Sequence, residues 1–457
     1  MAISLPQHDA SEPAAVRPTP LWAVLTLTFL GSLGTGAVTN GFSFIATEGL
    51  GYGRRMNLLM ALALGATYIL GALASGPIVQ RLRPHPSGAS PAPGGGGGPG
   101  EARVGGGLVH AHVRQVQSPL RVPLTPRGLL AIILALIGIA CLLPILAQRF
   151  APSMLEAALW ALILIFSPMT GMLWPIVEGY LSGGRRGKAL RSAIGRFNIV
   201  WSGALVVAFW GMAPLLADHP FVILALLGVA HWLMCGLLFW FPAHPPRELH
   251  NPSGPAPAEY VPLLTLFRVL LIASYIVLSA LSPLLPIVED KLGVDVYWKT
   301  PLASAWLTSR VLVFAVFERW HGWHGRWWAP WTGMGLMLAG FAGCIGAPMV
   351  PGFFPGIGVA VLIASLVITG AGIAITYYGA LYYALAVGDA QVDAGGKHEA
   401  MIGMGYTLGP LCGLAGLGLS EGDDDAFRVW IVLLVTGAVV LFTLLGWALL
   451  RRLRRRA

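Results

Sequence analysis

Charge is what this chain has least of. Asp, Glu, Lys and Arg make up only 11% of its 457 residues, against 56% apolar side chains. So few charges cannot coat a water-soluble body of that size, which excludes a soluble enzyme or binding module. Cysteine is scarce as well. Cys141, Cys235, Cys344 and Cys412 lie far apart in apolar runs, which excludes a disulfide framework and zinc-ligand spacing. His231 and Cys235 share a helix face one turn apart, but two ligands do not make a metal site. His110 and His112 lie in a low-complexity stretch, and His321 and His324 sit among tryptophans that read as an interfacial belt. Phosphate loops and nucleophile–base–orienter sets are missing, so no catalysis, cofactor, metal or ATP-driven pumping is expected. The glycines of "GKHEAMIGMGYTLGP" (396–410) have the wrong spacing for a dinucleotide, and no strand precedes them. The first twenty residues lack a basic n-region and a cleavage site, so the first apolar stretch is expected to act as its own insertion signal.

What the chain does have is long apolar runs. A bilayer core takes about 20 apolar residues per helix. Twelve stretches qualify: Leu21–Ile45, Met56–Val79, Leu129–Ala147, Leu155–Val177, Ile194–Leu216, Phe221–Phe241, Leu263–Val288, Leu302–Phe317, Trp331–Val350, Ile357–Val387, Met401–Leu419 and Val429–Leu450. The eighth is short and must borrow flanking residues, while the tenth is long enough to tilt or kink. The runs are too continuous for barrel strands, so the expectation is an all-α, polytopic membrane protein. Twenty of the 29 Lys and Arg fall on the two ends and the even-numbered connections and six on the opposite side; Arg196, Arg268 and Arg310 lie within spans. The positive-inside rule then puts both termini in the cytoplasm of a cell-membrane protein. The tail "RRLRRRA" reads as an anchor to anionic lipid rather than a nucleic-acid arm.

Composition also marks the boundaries. Residues 1–20 and the Gly- and Pro-rich connection 84–127 cannot bury a core and are expected to be disordered or flexible. Residues 242–262 read as a linker between bundles 21–241 and 263–450, with 451–457 as a basic tail. The two halves echo each other: "EGLG" (48–51) after the first span matches "DKLG" (290–293) after the seventh. "SAIGRFN" opening the fifth likewise matches "AMIGMGY" opening the eleventh. There is a period of three in chemistry too. The third, sixth, ninth and twelfth spans are almost free of ionisable groups and should face lipid; the others should face something wetter.

At this point the chain resembles the major facilitator superfamily over residues 21–450. The superfamily's Gly-x-x-x-Asp-Arg signature after the second span is matched by Gly76 and Arg81, with Gln80 in place of the Asp. The second copy reads "ERWHGWHGR", with Glu318-Arg319 for Asp-Arg, and "GYTLGPLCGLAG" resembles the superfamily's G-x-x-x-G-P-x-x-G helix element. "WPIVEGYL" and "GRFNIVWS" are similar to segments of poorly characterised bacterial facilitators. The resemblance implies two pseudo-symmetric six-helix bundles around a midplane solute site, span two packing beside span eleven and span five beside span eight. It implies a monomeric secondary or facilitative transporter of a small polar or amphipathic solute, working by alternating access, with a coupling proton or other ion as one energy source. A transporter-derived sensor or scaffold is the rival from another class, and a polytopic membrane enzyme a third.

Candidate residues follow. Arg310 lies halfway along its span, where a cation costs about 2.5–3.5 kcal/mol, so it should face a hydrated crevice or a carboxylate. A solute site is expected from Arg310, Tyr378, Tyr382, Asn40, Trp174, Asn198, Trp201 and Tyr406, and an anionic or strongly polar solute would suit the guanidinium. Arg81, Glu178, Arg196, Glu318, Arg319 and Glu399 map to cytoplasmic helix ends. They are either surface charge or a gate, in which Arg81 or Arg83 pairs with Glu399 and Arg196 with Glu318. Gly405, Gly409, Gly413 and Gly416 recur at intervals of four, four and three beside Pro410, a small-residue seam for close helix packing.

Overall fold

The computed structural model describes residues 17–82, 124–246, 257–350, 356–387 and 392–454. Twelve helices among them are long and apolar enough to cross a membrane. Spans one to six are Leu21–Asn40, Arg54–Arg81, Pro126–Phe150, Pro152–Ser182, Gly187–Leu216 and Pro220–Trp240; spans seven to twelve are Tyr260–Lys291, Val296–Arg319, Trp328–Met349, Ile357–Ala384, Gly395–Leu419 and Asp424–Arg452. An even number of crossings returns the chain to the side it left, so the two ends share one side and the opposite one is the far side.

Several helices start earlier than their apolar runs. Span eleven's helix covers Val392–Leu419 rather than Met401–Leu419, which takes Lys397, His398 and Glu399 out of a loop and into the helix. Span five's begins at Gly187 and span four's ends at Ser182, so Arg196 and Glu178 lie inside helices too. The short eighth run does borrow its flank: Val296–Ala303 and Ala305–Arg319 join at Ser304, and Asp295 caps the start by accepting from the Tyr297 N–H at 2.9 Å. Span one widens into a looser turn over Thr35–Asn40, where Asn40 Nδ2 donates to the Thr35 carbonyl at 3.1 Å, and a further helix, Phe42–Leu50, carries it to the far side.

The echo between halves has a structural counterpart. "EGLG" and "DKLG" both end their helices on a left-handed glycine, Gly51 at φ 66° and Gly293 at φ 68°. Only glycine adopts that conformation without a Cβ penalty. Span two packs along span eleven and span five along span eight, so these four helices form the seam between halves. Spans three, six and twelve turn large apolar side chains such as Ile139, Leu233 and Leu441 outward, as lipid-facing helices should.

The glycine seam is more divided than its spacing suggests. A side chain at Gly405 or Gly409 would strike span seven and at Gly413 Leu58 of span two, whereas at Gly416 it would only make ordinary contact with span twelve. An interval of four drifts steadily round a helix of 3.6 residues per turn, so successive glycines meet different neighbours. Backbone meets backbone across the halves at Gly65, whose added Cβ would lie 2.5 Å from the Tyr406 carbonyl oxygen. That is the carbonyl Pro410 leaves without its helical N–H donor.

Of the segments expected to be disordered, residues 1–16 and 83–123 lie outside the described residues. Thr19 is buried and its carbonyl accepts from Arg185, so the stretch just before span one is docked. The linker's start is held as well, with the Tyr180 hydroxyl donating to the Pro242 carbonyl at 3.0 Å.

Candidate functional site

Two small cavities adjoin at the centre of the seam. One is lined by Thr35, Thr39, Tyr68, Trp174, Glu178, Phe197, Trp201, Tyr275, Tyr377, Glu399, Ile402 and Tyr406. The other, nearer the far side, is lined by Asn40, Ser43, Asn57, Ala61, Ser282 and Tyr406 among others. Their volumes are ≈ 20 Å³ and ≈ 30 Å³, room for a water or two each. Any larger solute therefore requires the halves to part.

Arg310 lies behind the first cavity's wall. Its guanidinium carbon is 3.9 Å from the Trp201 ring centroid, 5.1 Å from Tyr377 and 5.4 Å from Phe314, and the residue is 1% exposed. Trp201 comes from span five and Tyr377 from span ten, and their rings stack at 5.6 Å, so the cation is held where the halves meet. Two or three such faces at about 0.5–2 kcal/mol each match the about 2.5–3.5 kcal/mol a central cation costs. Nε and Nη2 have no hydrogen-bond partner among the described residues.

The carboxyls sit differently from the expectation. Glu399 is buried and accepts a 2.5 Å hydrogen bond from the Tyr68 hydroxyl of the other half. Tyr68 meets Tyr406 edge to face at 5.8 Å, and Tyr406 meets Tyr275 at 5.1 Å. Glu178 faces the same cavity, one oxygen 2.9 Å from where a side chain at Gly395 would begin. Neither acid is surface charge at a helix end.

Among the described residues, Arg81–Glu399 and Arg196–Glu318 are not paired in this conformation. Arg81, Arg196, Glu318 and Arg319 are exposed, and none makes an ion pair among the described residues. Glu318 does reach span five, an oxygen 3.1 Å from a Cβ at Gly195, without pairing to the neighbouring Arg196. Arg83 lies outside the described residues. Among the solute-site residues, Trp174, Trp201 and Tyr406 line the first cavity and Asn40 the second. Asn198 is buried with both amide atoms unpartnered among the described residues. Tyr378 and Tyr382 belong elsewhere, in an aromatic cluster with Phe317, Trp323 and His324. Their neighbour Tyr377 takes the cavity position, about 100° round the helix. Sequence reasoning did not single out Tyr68, which no local pattern marks, or Tyr377, which stands in the tyrosine-rich "TYYGALYY" (376–383) beside the expected Tyr378.

The ion pairs that cross between halves lie on the far side. Lys299 of span eight, 3% exposed, reaches Glu48 at 2.5 Å and Asp290 at 2.6 Å, the acids of the two echoing motifs. Arg54 of span two and Lys291 both contact Asp424. Ser43 donates to the Ser282 carbonyl at 2.9 Å, and Asn57 to the Pro283 carbonyl at 3.5 Å.

No protein-family model matches the sequence, and no curated protein matches it. Solved structures do. The nucleoside transporter NupG superposes with a TM-score of 0.59 at 12% identity, covering 94% of this chain and 98% of that one. A bacterial homolog to the human lysosomal transporter Spinster, in an inward-facing and occupied conformation, gives 0.58 at 14% identity, covering 96% and 97%. Twelve spans, the packing of span two along span eleven and span five along span eight, and these likenesses together establish the major facilitator fold for this chain.

Proposed function

We propose that this chain is a secondary or facilitative transporter that moves a small polar or amphipathic solute by alternating access. The supporting observation is the central cavity, walled by both halves and too small to admit a solute unless they separate. The far-side ion pairs hold that entrance shut in this conformation, and the pairs Arg81–Glu399 and Arg196–Glu318 would form when the cytoplasmic side closes instead. With the basic residues biased toward the termini, both ends are cytoplasmic and the far side is external. Glu399 offers a coupling proton a place within the cavity. The chain acts as a monomer and is not an enzyme.

Purified protein in liposomes tests the reading, with a panel of nucleosides, sugars, organic acids and amines. Flux of at least one solute is expected, and Arg310→Ala should reduce it about tenfold or more by removing the cation that ties Trp201 to Tyr377. Binding without flux across the panel would favour the sensor instead.

A further inference from the structure

We propose that the central cavity takes an organic cation, a protonated amine or quaternary ammonium on an aromatic or broad apolar body. The inference rests on the transport reading and names the solute class of the same site. What a solute meets first decides it. Glu178 and Glu399 line the cavity, one from each half, among the faces of Trp174, Trp201, Tyr377 and Tyr406. Ring faces and carboxylates both attract positive charge. Arg310 is not part of the cavity's lining, and Trp201, which is, covers the guanidinium at 3.9 Å.

Charge balance agrees. Neither cavity acid makes an ion pair among the described residues, and the guanidinium behind the wall is already engaged with three rings, so the partner missing from the cavity is a positive charge. The other titratable groups nearby are the hydroxyls of Tyr68, Tyr275, Tyr377 and Tyr406, and His398, whose ring is 5.9 Å from Tyr377. Arg268 approaches His398 and has interactions of its own, and Lys397 is exposed. An anion would have to displace the Trp201 ring before reaching Arg310, which is why the site disfavours the acid that Arg310 alone suggests.

The test uses one ring system at three charges: tryptamine, tryptophol and indole-3-acetate, with choline, tetraethylammonium and tetraphenylphosphonium as further cations. Binding to the full chain is read by calorimetry and by the ligand-induced shift in melting temperature. At least one cation should bind, with tryptophol and indole-3-acetate weaker, and Glu178→Gln should weaken the cation about tenfold or more. Glu399→Gln should do the same, whereas Tyr68→Phe, which removes the hydrogen bond and keeps the carboxyl, should retain cation binding. Failure of every cation, equal binding of tryptophol, or preference for indole-3-acetate overturns the inference. Flux of a neutral or acidic solute in the liposome assay would leave transport standing while this inference falls; absence of all flux would remove the transport reading itself.

Discussion

Neutralising Glu48 should open the far side. Lys299 and Glu48 join the halves through side chains that are 4% and 18% exposed, so water screens the pair little. A hydrogen bond between charged groups contributes about 1.5–3 kcal/mol, against about 0.5–1.5 kcal/mol for a neutral one. Glu48→Gln keeps the shape and removes the charge, a loss of about 1.4 kcal/mol, or about tenfold in the open population. Arg54–Asp424 is the comparison, with side chains 24% and 43% exposed, where about 0–1 kcal/mol is expected. A cysteine placed at Ala61, which lines the far-side cavity, reports opening through its labelling rate with an impermeant thiol reagent, in a background lacking the four native cysteines. Labelling should rise about tenfold in Glu48→Gln and at most about fivefold in Arg54→Ala. Unchanged labelling in Glu48→Gln, or a larger effect from Arg54→Ala, would refute the reasoning.

Two further outcomes are expected. Gly65→Ala puts a methyl 2.5 Å from the Tyr406 carbonyl oxygen and the Thr407 nitrogen, backbone atoms that cannot swing aside. It should cost about 1–3 kcal/mol and lower the melting temperature, whereas Gly203→Ala, with nothing within 4 Å, should not. His324, in the connection after span eight, has its imidazole pulled down to about 4 by burial and by neighbouring His321. Its folded value lies below the unfolded one, so its contribution to stability is complete above about pH 6.5 and is lost as pH falls toward 4. The melting temperature should therefore drop more steeply from about pH 7 to about pH 5 in the native chain than in His324→Phe; equal slopes would contradict this.

The twelve spans, their shared-side ends and the echo between halves were legible in the sequence, because lipid imposes length and apolarity on each helix separately. Even the far-side acids could be glimpsed there, since Glu48 and Asp290 occupy matching places in "EGLG" and "DKLG". What the sequence could not supply was which groups meet. Glu399 looked like an end charge because its polar neighbours break the apolar run, yet its partner is Tyr68, far away along the chain in the other half. Tyr377 and Tyr378 are chemically alike and adjacent, and only the rotation of span ten decides which ring faces Arg310. Hydropathy is a property of each helix alone, whereas a binding site is made by the way helices pack, and that was settled only in the tertiary structure.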